Sequence, residues 1–471
     1  MVDIAYIVSH GFAARMLTQT NLLGKLVEKG LKVALITPDK EDENLRNYCG
    51  KAKVELFEFN PSSSFWTSQY GNARKYFLED IRNNTALWEK HLYSTQFNKS
   101  KRLWGKIQPR LFYLAYLCTK WFPSLRNWYK KREDKYLESE SATHLIQKIN
   151  PKTLVATYPV NFREGMLLKA AKQQHKKTVI HLLSWDNISC KGRFPALADE
   201  YIAWGAIMKA EFMEYYDIPA NKIHTCGVPH FDLHIESRKH PKPQVYLEAL
   251  GLNPEQSYLF FGMSSPRFAP REIDIVEHLA QQVQQNIFGE EMQLIVRPHP
   301  QNVQGNMADQ SWLPRLEAIN KGKVAVDFPN LVKSNLPWSM QQQDMSRLSQ
   351  LLAGCTVSMN SGSTLSIDAL MCGVPVILTS FDGDEKLAYW QSARRLIDYP
   401  HLKKLVYLGG VSIVDSFDDL FEMIKKYIEN PNFNAEKRSK TLAQQCDNYE
   451  SFSTPKVVNQ LQALVRLDRI N

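Results

Sequence analysis

The stretch from Val357 to Leu378 restricts the fold more than any other part of the chain. An apolar run that includes Val357 is followed by a turn of small polar residues, an amphipathic segment from Leu365, and a second apolar run from Val376. Two short apolar runs joined by one helical segment are typical of a βαβ unit, in which a helix connects two parallel strands. This stretch therefore predicts an α/β domain with a parallel sheet.

The same alternation of strand and helix patterns begins at the N-terminus. Apolar runs at 4–8 and 31–37 flank a helical pattern, and Gly30 ends that helix. Further apolar runs with the length of buried strands lie at 54–59, 154–157, 179–183, 201–204 and 223–226. Repeated βαβ units form a parallel sheet with right-handed connections. We therefore predict a doubly wound α/β sheet for the N-terminal half as well.

The length of 471 residues favours two domains, because a single hydrophobic core rarely serves a chain of this size. We predict an N-terminal domain at 1–236, a polar linker at 237–256, a C-terminal domain at 257–440 and a terminal helix within 441–471. From about 61 to 140 the α/β alternation stops, and the segment is rich in aromatic and basic residues. This segment predicts a helical insertion in the N-terminal domain.

Two polar turns in the C-terminal domain predict an anion site. Arg297 and His299 directly follow a buried apolar run, and Ser361-Gly362-Ser363-Thr364 leads into a helix. The N–H groups at a helix N-terminus lie at the positive end of the helix dipole and bind phosphate. An Arg and a His from a neighbouring strand end add charge and hydrogen-bond donors. The two turns together predict a pocket for a nucleotide diphosphate.

These motifs resemble those of a known group of enzymes. R-x-H-P followed by S-G-S-T-x-x-x-D-A-L-x-x-G-V-P-V-I resembles the donor half of GT-B glycosyltransferases of the bacterial surface-polysaccharide type. These are related to CDP-glycerol phosphotransferases and UDP-N-acetylglucosamine 2-epimerases. The N-terminal strand-loop-helix and the SWDN and GVPHFD blocks also match. The resemblance implies two Rossmann-like domains facing a cleft and a C-terminal helix that crosses back onto the N-terminal domain.

The resemblance also implies which residues bind the donor. They lie at strand ends and at one helix start of the C-terminal domain: Ser264, Ser265, Arg297, His299, Ser361, Gly362, Ser363, Thr364 and Asp368. Asp368 follows Thr364 by one helical turn, on the same helix face, and is expected to hold the ribose. The turn at 262–265 is expected to approach the donor phosphate or sugar, although an ordinary loop is the alternative there.

Two residues of the N-terminal domain are candidates for activating an acceptor hydroxyl. His10 follows the first strand, at the sheet edge where open α/β sheets bind ligands, and similar enzymes carry a His in this loop. The alternative is a His that only caps the next helix. Asp186 of the SWDN block is the second candidate base, or it orients His10, and a turn-forming role is its alternative. Trp185 and Asn187 are predicted to contact the acceptor, with Trp185 as a stacking face for a sugar.

The composition restricts the partners. A net charge of +9 and a pI near 9.0 favour an anionic partner. Aromatic and basic residues alternate at 101–135, which fits an interfacial helix on an anionic membrane or an insertion packed on its own domain. No RNA- or DNA-binding motif accompanies this segment, so we expect no nucleic-acid partner.

Metals, cofactors and disulfides are not expected. The seven cysteines are scattered without a CxxC pair, no cluster has metal-ligand spacing, and no DxD motif stands at a strand end. No apolar run approaches the ~20 residues that a transmembrane helix needs. The start MVDIAYIVSH also lacks the pattern of a signal peptide. We therefore expect a cytoplasmic protein, with peripheral contact to the inner face of the cytoplasmic membrane as a further option.

The function expected from the sequence is that of a metal-independent, inverting glycosyltransferase. It would move a sugar from a nucleotide-sugar, which is a substrate and not a cofactor, to a glycan or lipid-linked acceptor of lipopolysaccharide or capsule synthesis. A CDP-glycerol-type phosphotransferase is the main alternative, because the same motifs serve transfer at phosphorus. A 2-epimerase fits less well, since its extra carboxylates are not evident. A non-catalytic nucleotide-sugar-binding protein is the alternative outside the enzymes.

Overall fold

The computed structural model describes residues 2–96, 103–303, 309–332, 334–336, 339–447 and 449–467, without the side chains of residues 301, 303 and 467. The chain divides into two compact units, which we call the N-terminal and the C-terminal domain. The first consists of Met1–Pro229, Lys333–Ser339 and Ser453–Asn471, and the second of His230–Val332 and Met340–Phe452. The division after Pro229 falls within the GVPHFD block, ahead of the predicted boundary at 236.

The N-terminal domain is built on a sheet of seven parallel strands. These are β1 (Val2–Ile7), β2 (Val33–Thr37), β3 (Glu55–Glu58), β4 (Pro151–Ala156), β5 (Lys177–His181), β6 (Glu200–Ala203) and β7 (Ile223–Thr225). Their order is β3-β2-β1-β4-β5-β6-β7, with every pair parallel. The strand order reverses between β1 and β4. Ligands bind outside the carboxyl ends of the strands at such a reversal, which is called the switch point.

Helices cover this sheet and form the insertion. They are α1 (Gly11–Gln19), α2 (Leu22–Glu28), α3 (Glu43–Ala52), α4 (Phe65–Leu78), α5 (Thr85–Gln96), α6 (Leu103–Trp121), α7 (Ser124–Tyr136), α8 (Glu140–Ile149), α9 (Phe162–Gln173), α10 (Asn187–Cys190) and α11 (Ala206–Tyr216). A 3₁₀ turn spans Ala220–Lys222. The insertion between β3 and β4 is helical, as predicted, and consists of α4 to α7. Its residues 97–102 lie outside the described part of the chain.

Several of these helices begin directly after a short polar residue whose side chain caps the helix. The side chains of Asp42, Ser64 and Ser139 accept hydrogen bonds from backbone N–H groups in the first turns of α3, α4 and α8. An N-cap of this kind satisfies a donor that has no partner within the helix. Such caps explain why the helix starts can be recognised from the sequence.

The C-terminal domain repeats the same design with six strands. These are β8 (Tyr258–Gly262), β9 (Gln293–Arg297), β10 (Val324–Val326), β11 (Val357–Asn360), β12 (Val376–Thr379) and β13 (Ser412–Val414). The order β10-β9-β8-β11-β12-β13 is parallel throughout, so the switch point lies between β8 and β11. Both domains are therefore doubly wound α/β sheets, which confirms the predicted fold class.

Among the described residues, ten helices belong to the C-terminal domain. They are α12 (Phe231–Lys239), α13 (Gln244–Ala249), α14 (Glu272–Gln284), α15 (Pro300–Val303), α16 (Trp312–Ile319), α17 (Asp344–Gly354), α18 (Leu365–Met371), α19 (Pro400–Leu408), α20 (Phe417–Glu429) and α21 (Ala435–Gln445), with a 3₁₀ helix at Ala393–Asp398. The range 237–256, predicted as a linker, contains the end of α12 and all of α13. None of the described helices combines the length and the apolar character that crossing a membrane requires.

Two later segments of the chain pack within the N-terminal domain. The last helix, α22 (Thr454–Leu467), places five apolar residues in its hydrophobic core: Val457, Val458, Leu461, Leu464 and Val465. The second segment comprises residues 334–336 and 339. There the backbone N–H of Asn335 donates to the carboxylate of Asp39 at 2.7 Å, and Ser339 Oγ donates to Asp42 at 2.9 Å. Burial of these apolar side chains and two carboxylate hydrogen bonds hold both segments in this domain.

Candidate functional site

The turns that follow β8, β9 and β11 are connected to one another at the switch point of the C-terminal sheet. Asn302, just after β9, donates from Nδ2 to the carbonyl oxygen of Ser264 at 3.1 Å. The backbone N–H of Ser264 donates to Glu272 Oε2 at 2.6 Å, and Ser361 also hydrogen-bonds to the Glu272 carboxyl. The structure thus brings together the turns of the predicted donor residues, and Ser265 lies buried beside Ser264.

Glu272 is a residue of this site that the sequence analysis missed. It begins α14 and is buried, and burial raises its pKa to about 8, although hydrogen bonds from Ser361 and Ser264 act in the opposite direction. An acidic residue in the first turn of a helix usually indicates only a favourable interaction with the helix dipole. The sequence carries no signal that this one connects two turns.

The turn after β11 takes its shape from Asn360. Asn360 Oδ1 accepts hydrogen bonds from the N–H groups of Gly362 at 2.9 Å and Ser363 at 2.8 Å. These two N–H groups, predicted to face an anion, are therefore engaged within the turn. Ser363 and Thr364 remain partly exposed, so a ligand at this turn would meet their hydroxyl groups. Gly362 has φ +107, and a Cβ atom there would lie 2.9 Å from Leu402 Cδ1, so the turn requires glycine.

Arg297 ends β9 and pairs with two carboxylates. Its Nη1 donates to Asp327 and its Nη2 to Asp344, and Asp327 also pairs with Arg347 at 2.6 Å. Burial lowers the pKa of Arg297, but the charges of Asp344 and Asp327 outweigh it and raise the pKa above its ordinary value. In this structure Arg297 connects the end of β9 to α17 through its ion pair with Asp344. Its predicted contact with a donor diphosphate stays a prediction.

His299 and Asp368, the two other charged or titratable donor candidates, differ in their surroundings. His299 is partly exposed between two prolines in the turn after β9, and its carbonyl oxygen accepts from the N–H of Asn302 at 2.7 Å. Asp368 on α18 instead contacts His234 Nε2 at 2.9 Å and His230 Nε2 at 3.4 Å. Burial raises the pKa of Asp368, but the hydrogen bonds from both histidines outweigh it and hold the pKa below its usual range.

Asp368 and its two histidines form a group that the sequence analysis missed. Their nearest nitrogen and oxygen atoms all lie within 4.8 Å of one another. The signal in the sequence was the spacing of His230 and His234, because residues four apart lie on one helix face. The predicted contact of Asp368 with a ribose stays a prediction.

In the N-terminal domain, His10 caps α1. Its Nδ1 accepts a hydrogen bond from the N–H of Phe12 at 3.3 Å, and its ring centroid lies 5.6 Å from that of Tyr158. Burial, together with the smaller effect of the charges of Lys191 and Arg15, lowers the pKa of His10 to about 4. The ring is therefore neutral at neutral pH. Because Nδ1 accepts, the remaining proton is assigned to Nε2.

The SWDN block lies after β5 and is mostly buried. Asp186 accepts from Ser184 Oγ at 2.6 Å and pairs with Lys191 at 2.8 Å. Trp185 is only 4 % exposed, so its predicted stacking with a sugar stays a prediction. Asn187 is fully buried, and neither atom of its amide has a hydrogen-bond partner among the described residues. A buried amide without partners is costly, which is typical of a group that meets a ligand or a water molecule.

The insertion contributes a lysine to this region. Lys90 of α5 donates from Nζ to the carbonyl oxygen of Cys190 at 2.5 Å, and Asn84 Nδ2 donates to the carbonyl oxygen of Ser189 at 2.7 Å. Burial, together with the smaller effect of the charge of Lys191, lowers the pKa of Lys90 to about 7. The insertion therefore helps to form the loop at 184–191. No motif in the sequence indicated Lys90.

Glu164 connects the two turns at the switch point of this sheet. Ser9 Oγ donates to it at 2.5 Å, and the N–H groups of Thr157 and Tyr158 donate at 2.9 and 2.8 Å. Glu164 is fully buried, and burial raises its pKa to about 7. It holds the β1 turn, which continues into His10, against the β4 turn.

Comparison with solved structures shows the same architecture in proteins of low sequence identity. A UDP-GlcNAc 2-epimerase from Neisseria meningitidis bound to UDP-GlcNAc has a TM-score of 0.55 at 12% identity, covering 98% of this chain and 100% of that chain. The S. aureus MnaA-UDP co-structure has a TM-score of 0.54 at 9% identity, covering 99% and 98%. CalG4, the calicheamicin glycosyltransferase, has a TM-score of 0.51 at 13% identity, covering 100% and 99%.

No protein-family model and no curated protein matches the chain. Identities of this size show a shared fold alone, and these proteins include both sugar epimerases and glycosyltransferases. The chain forms two doubly wound domains, each with turns that meet at a switch point, and the likeness to these structures extends over nearly its whole length. We conclude that the protein has a GT-B glycosyltransferase-like fold.

Proposed function

We propose that the protein is a glycosyltransferase that binds a nucleotide-sugar in its C-terminal domain. The observation that carries the proposal is the connection of the β8, β9 and β11 turns through Glu272 and Asn302 at the switch point. Structures with the same fold include proteins bound to UDP-GlcNAc and to UDP, which supports a nucleotide-sugar donor. The acceptor is a glycan or a lipid-linked glycan of surface-polysaccharide synthesis.

The donor diphosphate would meet side-chain donors more than backbone amides. Ser363 and Thr364 offer hydroxyl groups at the turn after β11. His299 lies in the turn after β9, the strand that pairs with β8. Arg297 supports this site from inside by fixing the end of β9 through Asp327 and Asp344. Hydrogen-bond donors held in place before the reaction stabilise the charge that develops on a leaving phosphate. We propose that this makes a metal ion unnecessary for the transfer.

The reaction would be a single displacement that inverts the anomeric carbon. An acceptor oxygen attacks that carbon, the bond to the diphosphate oxygen breaks, and the hydroxyl proton passes to His10 or Asp186. His10 is neutral at neutral pH, as a base requires, because its pKa lies near 4. To accept the proton at Nε2, its ring must first carry its own proton on Nδ1, in place of the hydrogen bond from Phe12.

The surroundings of the acceptor candidates suit an anionic acceptor. Lys191 and Lys90 lie at the loop of the SWDN block, and Asn187 has a buried amide for further hydrogen bonds. A phosphate or diphosphate on a lipid-linked glycan would provide acceptor oxygens for the amide of Asn187 and a second anionic partner for Lys191, which already pairs with Asp186. This supports a lipid-linked acceptor over a neutral free glycan.

A membrane contact of the insertion is part of the proposal. Helix α6 and its continuation expose an apolar stripe of Leu103, Trp104, Ile107, Leu111, Leu114, Leu117, Trp121 and Phe122. Lys106, Arg110 and Lys120 are exposed on the same helix. A helix with exposed apolar and basic side chains binds the interface of an anionic membrane. Such a contact would bring a lipid-linked acceptor to the N-terminal domain.

The test is a thermal-shift panel with UDP, GDP, CDP, CMP and TDP, followed by incubation with the matching nucleotide-sugar. A nucleotide at a hundred times its Kd adds about 2.7 kcal/mol to the stability of the folded state. We expect one nucleotide to stabilise the protein. We also expect the protein to hydrolyse the nucleotide-sugar of that nucleotide slowly when no acceptor is present.

Several results would contradict the proposal. Stabilisation by none of the nucleotides would refute a nucleotide-sugar site. Conversion of UDP-GlcNAc to its 2-epimer, seen by NMR, would identify an epimerase instead. Turnover of CDP-glycerol with release of CMP would identify a phosphotransferase. Binding of a nucleotide-sugar with neither hydrolysis nor transfer would indicate a binding protein.

A further inference from the structure

Three side chains that could bind a metal ion lie together inside the C-terminal domain. His234 lies on α12, His230 immediately precedes this helix, and both imidazoles approach the same atom, Oδ1 of Asp368 on α18. Both histidines are buried, and Asp368 is mostly buried. Neither histidine belongs to the proposed donor or acceptor site.

The distances in this group are close to those of a zinc site. A tetrahedral zinc ion with bonds of about 2.0–2.2 Å separates its ligand atoms by about 3.3 Å. The distances from Asp368 Oδ1 to His234 Nε2 and His230 Nε2 are 2.9 and 3.4 Å, and all three atoms lie within 4.8 Å of one another. The two contacts with Asp368 thus already have suitable lengths, and an ion bound by all three residues requires side-chain rotations that bring the two histidine nitrogens from within 4.8 Å to about 3.3 Å of each other.

A neighbouring hydroxyl group orients one of the histidines. Ser349 Oγ of α17 is hydrogen-bonded to His234 Nδ1, so Nε2 of the same ring is directed at Asp368. Metal-binding histidines regularly make a second hydrogen bond of this kind, which fixes the orientation of the ring. The spacing of the two histidines, four residues apart before and within one helix, is also found in zinc-binding helices.

We propose that His230, His234 and Asp368 bind one Zn²⁺ ion, with water in the remaining position. Two imidazoles and a carboxylate suit zinc better than magnesium or calcium, which prefer oxygen ligands. The ion joins α12 to α18, the helix that follows the Ser361–Thr364 turn. It stabilises the C-terminal domain and takes no part in the transfer, and Asp368 then binds the ion instead of the donor ribose that the sequence predicts for it.

The test measures zinc directly. The full-length protein is purified from zinc-supplemented medium, and its zinc content is determined by mass spectrometry before and after treatment with a chelator. We expect one zinc ion per chain, a fall in Tm of several degrees after chelation, and recovery when zinc is added back. Cobalt in place of zinc should give the absorption of a four-coordinate site.

Matched variants assign the site. His234→Gln and Asp368→Asn should lose the bound zinc and the response of Tm to zinc, while His240→Ala, an exposed histidine just after α12, should retain both. Circular dichroism of the zinc-free variants shows whether they are folded. If Asp368→Asn unfolds, a folded His234→Gln protein is sufficient to show whether His234 binds the zinc ion. A parent protein that binds no zinc, or variants that bind it as the parent does, would leave a hydrogen-bonded cluster and overturn the proposal.

Discussion

Glu164 in the N-terminal domain and Glu272 in the C-terminal domain make the same connection. Each is a buried carboxyl that accepts hydrogen bonds from both turns flanking the switch point of its sheet. Glu164 lies on the helix after the fourth strand of its domain, and Glu272 on the helix after the first strand. Although the two residues lie on different helices of their domains, each holds together the two turns at the switch point of its sheet.

This pair predicts a dependence of stability on pH. Burial raises the pKa from 4.5 to about 7 for Glu164 and to about 8 for Glu272. A carboxyl with a raised pKa in the folded state binds protons more readily there than in the unfolded state. Its contribution to stability is therefore complete below pH 4.5 and is lost as the pH rises through 7 to 8. At about 1.4 kcal/mol per pKa unit, the loss is at most about 3 kcal/mol for Glu164 and about 5 kcal/mol for Glu272.

Glutamine variants check this prediction. Glu164→Gln and Glu272→Gln cannot ionise, so the free energy of unfolding should fall less between pH 5 and 8 than in the parent protein. Urea titrations at several pH values measure it. Glu290→Gln, at an exposed position, serves as the control and should follow the parent. A pH profile that both buried variants share with the parent would show that these carboxyls do not control it.

Two substitutions of His10 separate capping from catalysis. His10→Ala removes the acceptor for the N–H of Phe12 and should cost about 1 kcal/mol of stability, whereas His10→Asn provides another good N-cap and should cost less. If His10 is the base, both variants should lose about 10²–10⁴-fold in transfer rate. Full activity in His10→Asn would mean that His10 only caps α1, and thermal melts with rate measurements distinguish the cases.

Arg297 should matter more for stability than for nucleotide affinity. Arg297→Ala leaves Asp327 and Asp344 buried without this partner, which should cost about 3–5 kcal/mol. Arg46→Ala breaks an exposed pair with Glu41 and should cost at most about 1 kcal/mol. Chemical denaturation and nucleotide titrations measure both effects. If Arg297→Lys keeps the stability but loses nucleotide binding, Arg297 contacts the donor directly.

Gly362 should not tolerate a side chain. Gly362→Ala combines φ +107 with a Cβ atom 2.9 Å from Leu402 Cδ1, so we expect a loss of about 1–3 kcal/mol and weaker nucleotide binding. Gly50→Ala is the matched control, because it lies in α3 with no atom within 4 Å of the added Cβ. It should be neutral or stabilising by about 0.5–1 kcal/mol. Equal melting temperatures for the two variants would contradict the proposed shape of the turn.

The apolar stripe on α6 predicts binding to anionic lipid. Trp121 is 82 % exposed and Phe122 62 %, and changing both to Ser should weaken co-sedimentation with vesicles that contain phosphatidylglycerol. Binding to neutral phosphatidylcholine vesicles should already be weak, and high salt should reduce binding to the anionic ones. Tyr407→Ser, at an exposed aromatic residue on α19, is the control. Equal binding to both kinds of vesicle would contradict an electrostatic contribution.

The strands and the turns of the candidate sites could be located from the sequence with little error. Apolar runs and helix periodicity are local properties, so the strand before His10 and those before Arg297 and Asn360 could be recognised without a structure. The candidate turns follow strands β1, β5, β8, β9 and β11, and the carboxyl ends of parallel strands lie on one edge of a sheet. Local patterns were therefore enough to predict two doubly wound domains and the positions of the turns at the carboxyl ends of these strands.

The contacts of the site residues could not be predicted in the same way. Arg297 pairs with residues 30 and 47 positions away, and Asp368 hydrogen-bonds to a histidine 134 positions away. The sequence by itself determined which segments form strands, helices and turns, because each depends on neighbouring residues. Only the tertiary structure decided which charged and polar side chains are buried together, because burial is a property of the packed domain. A buried charge must be paired, and its partner is the residue that the packing of the domain places beside it.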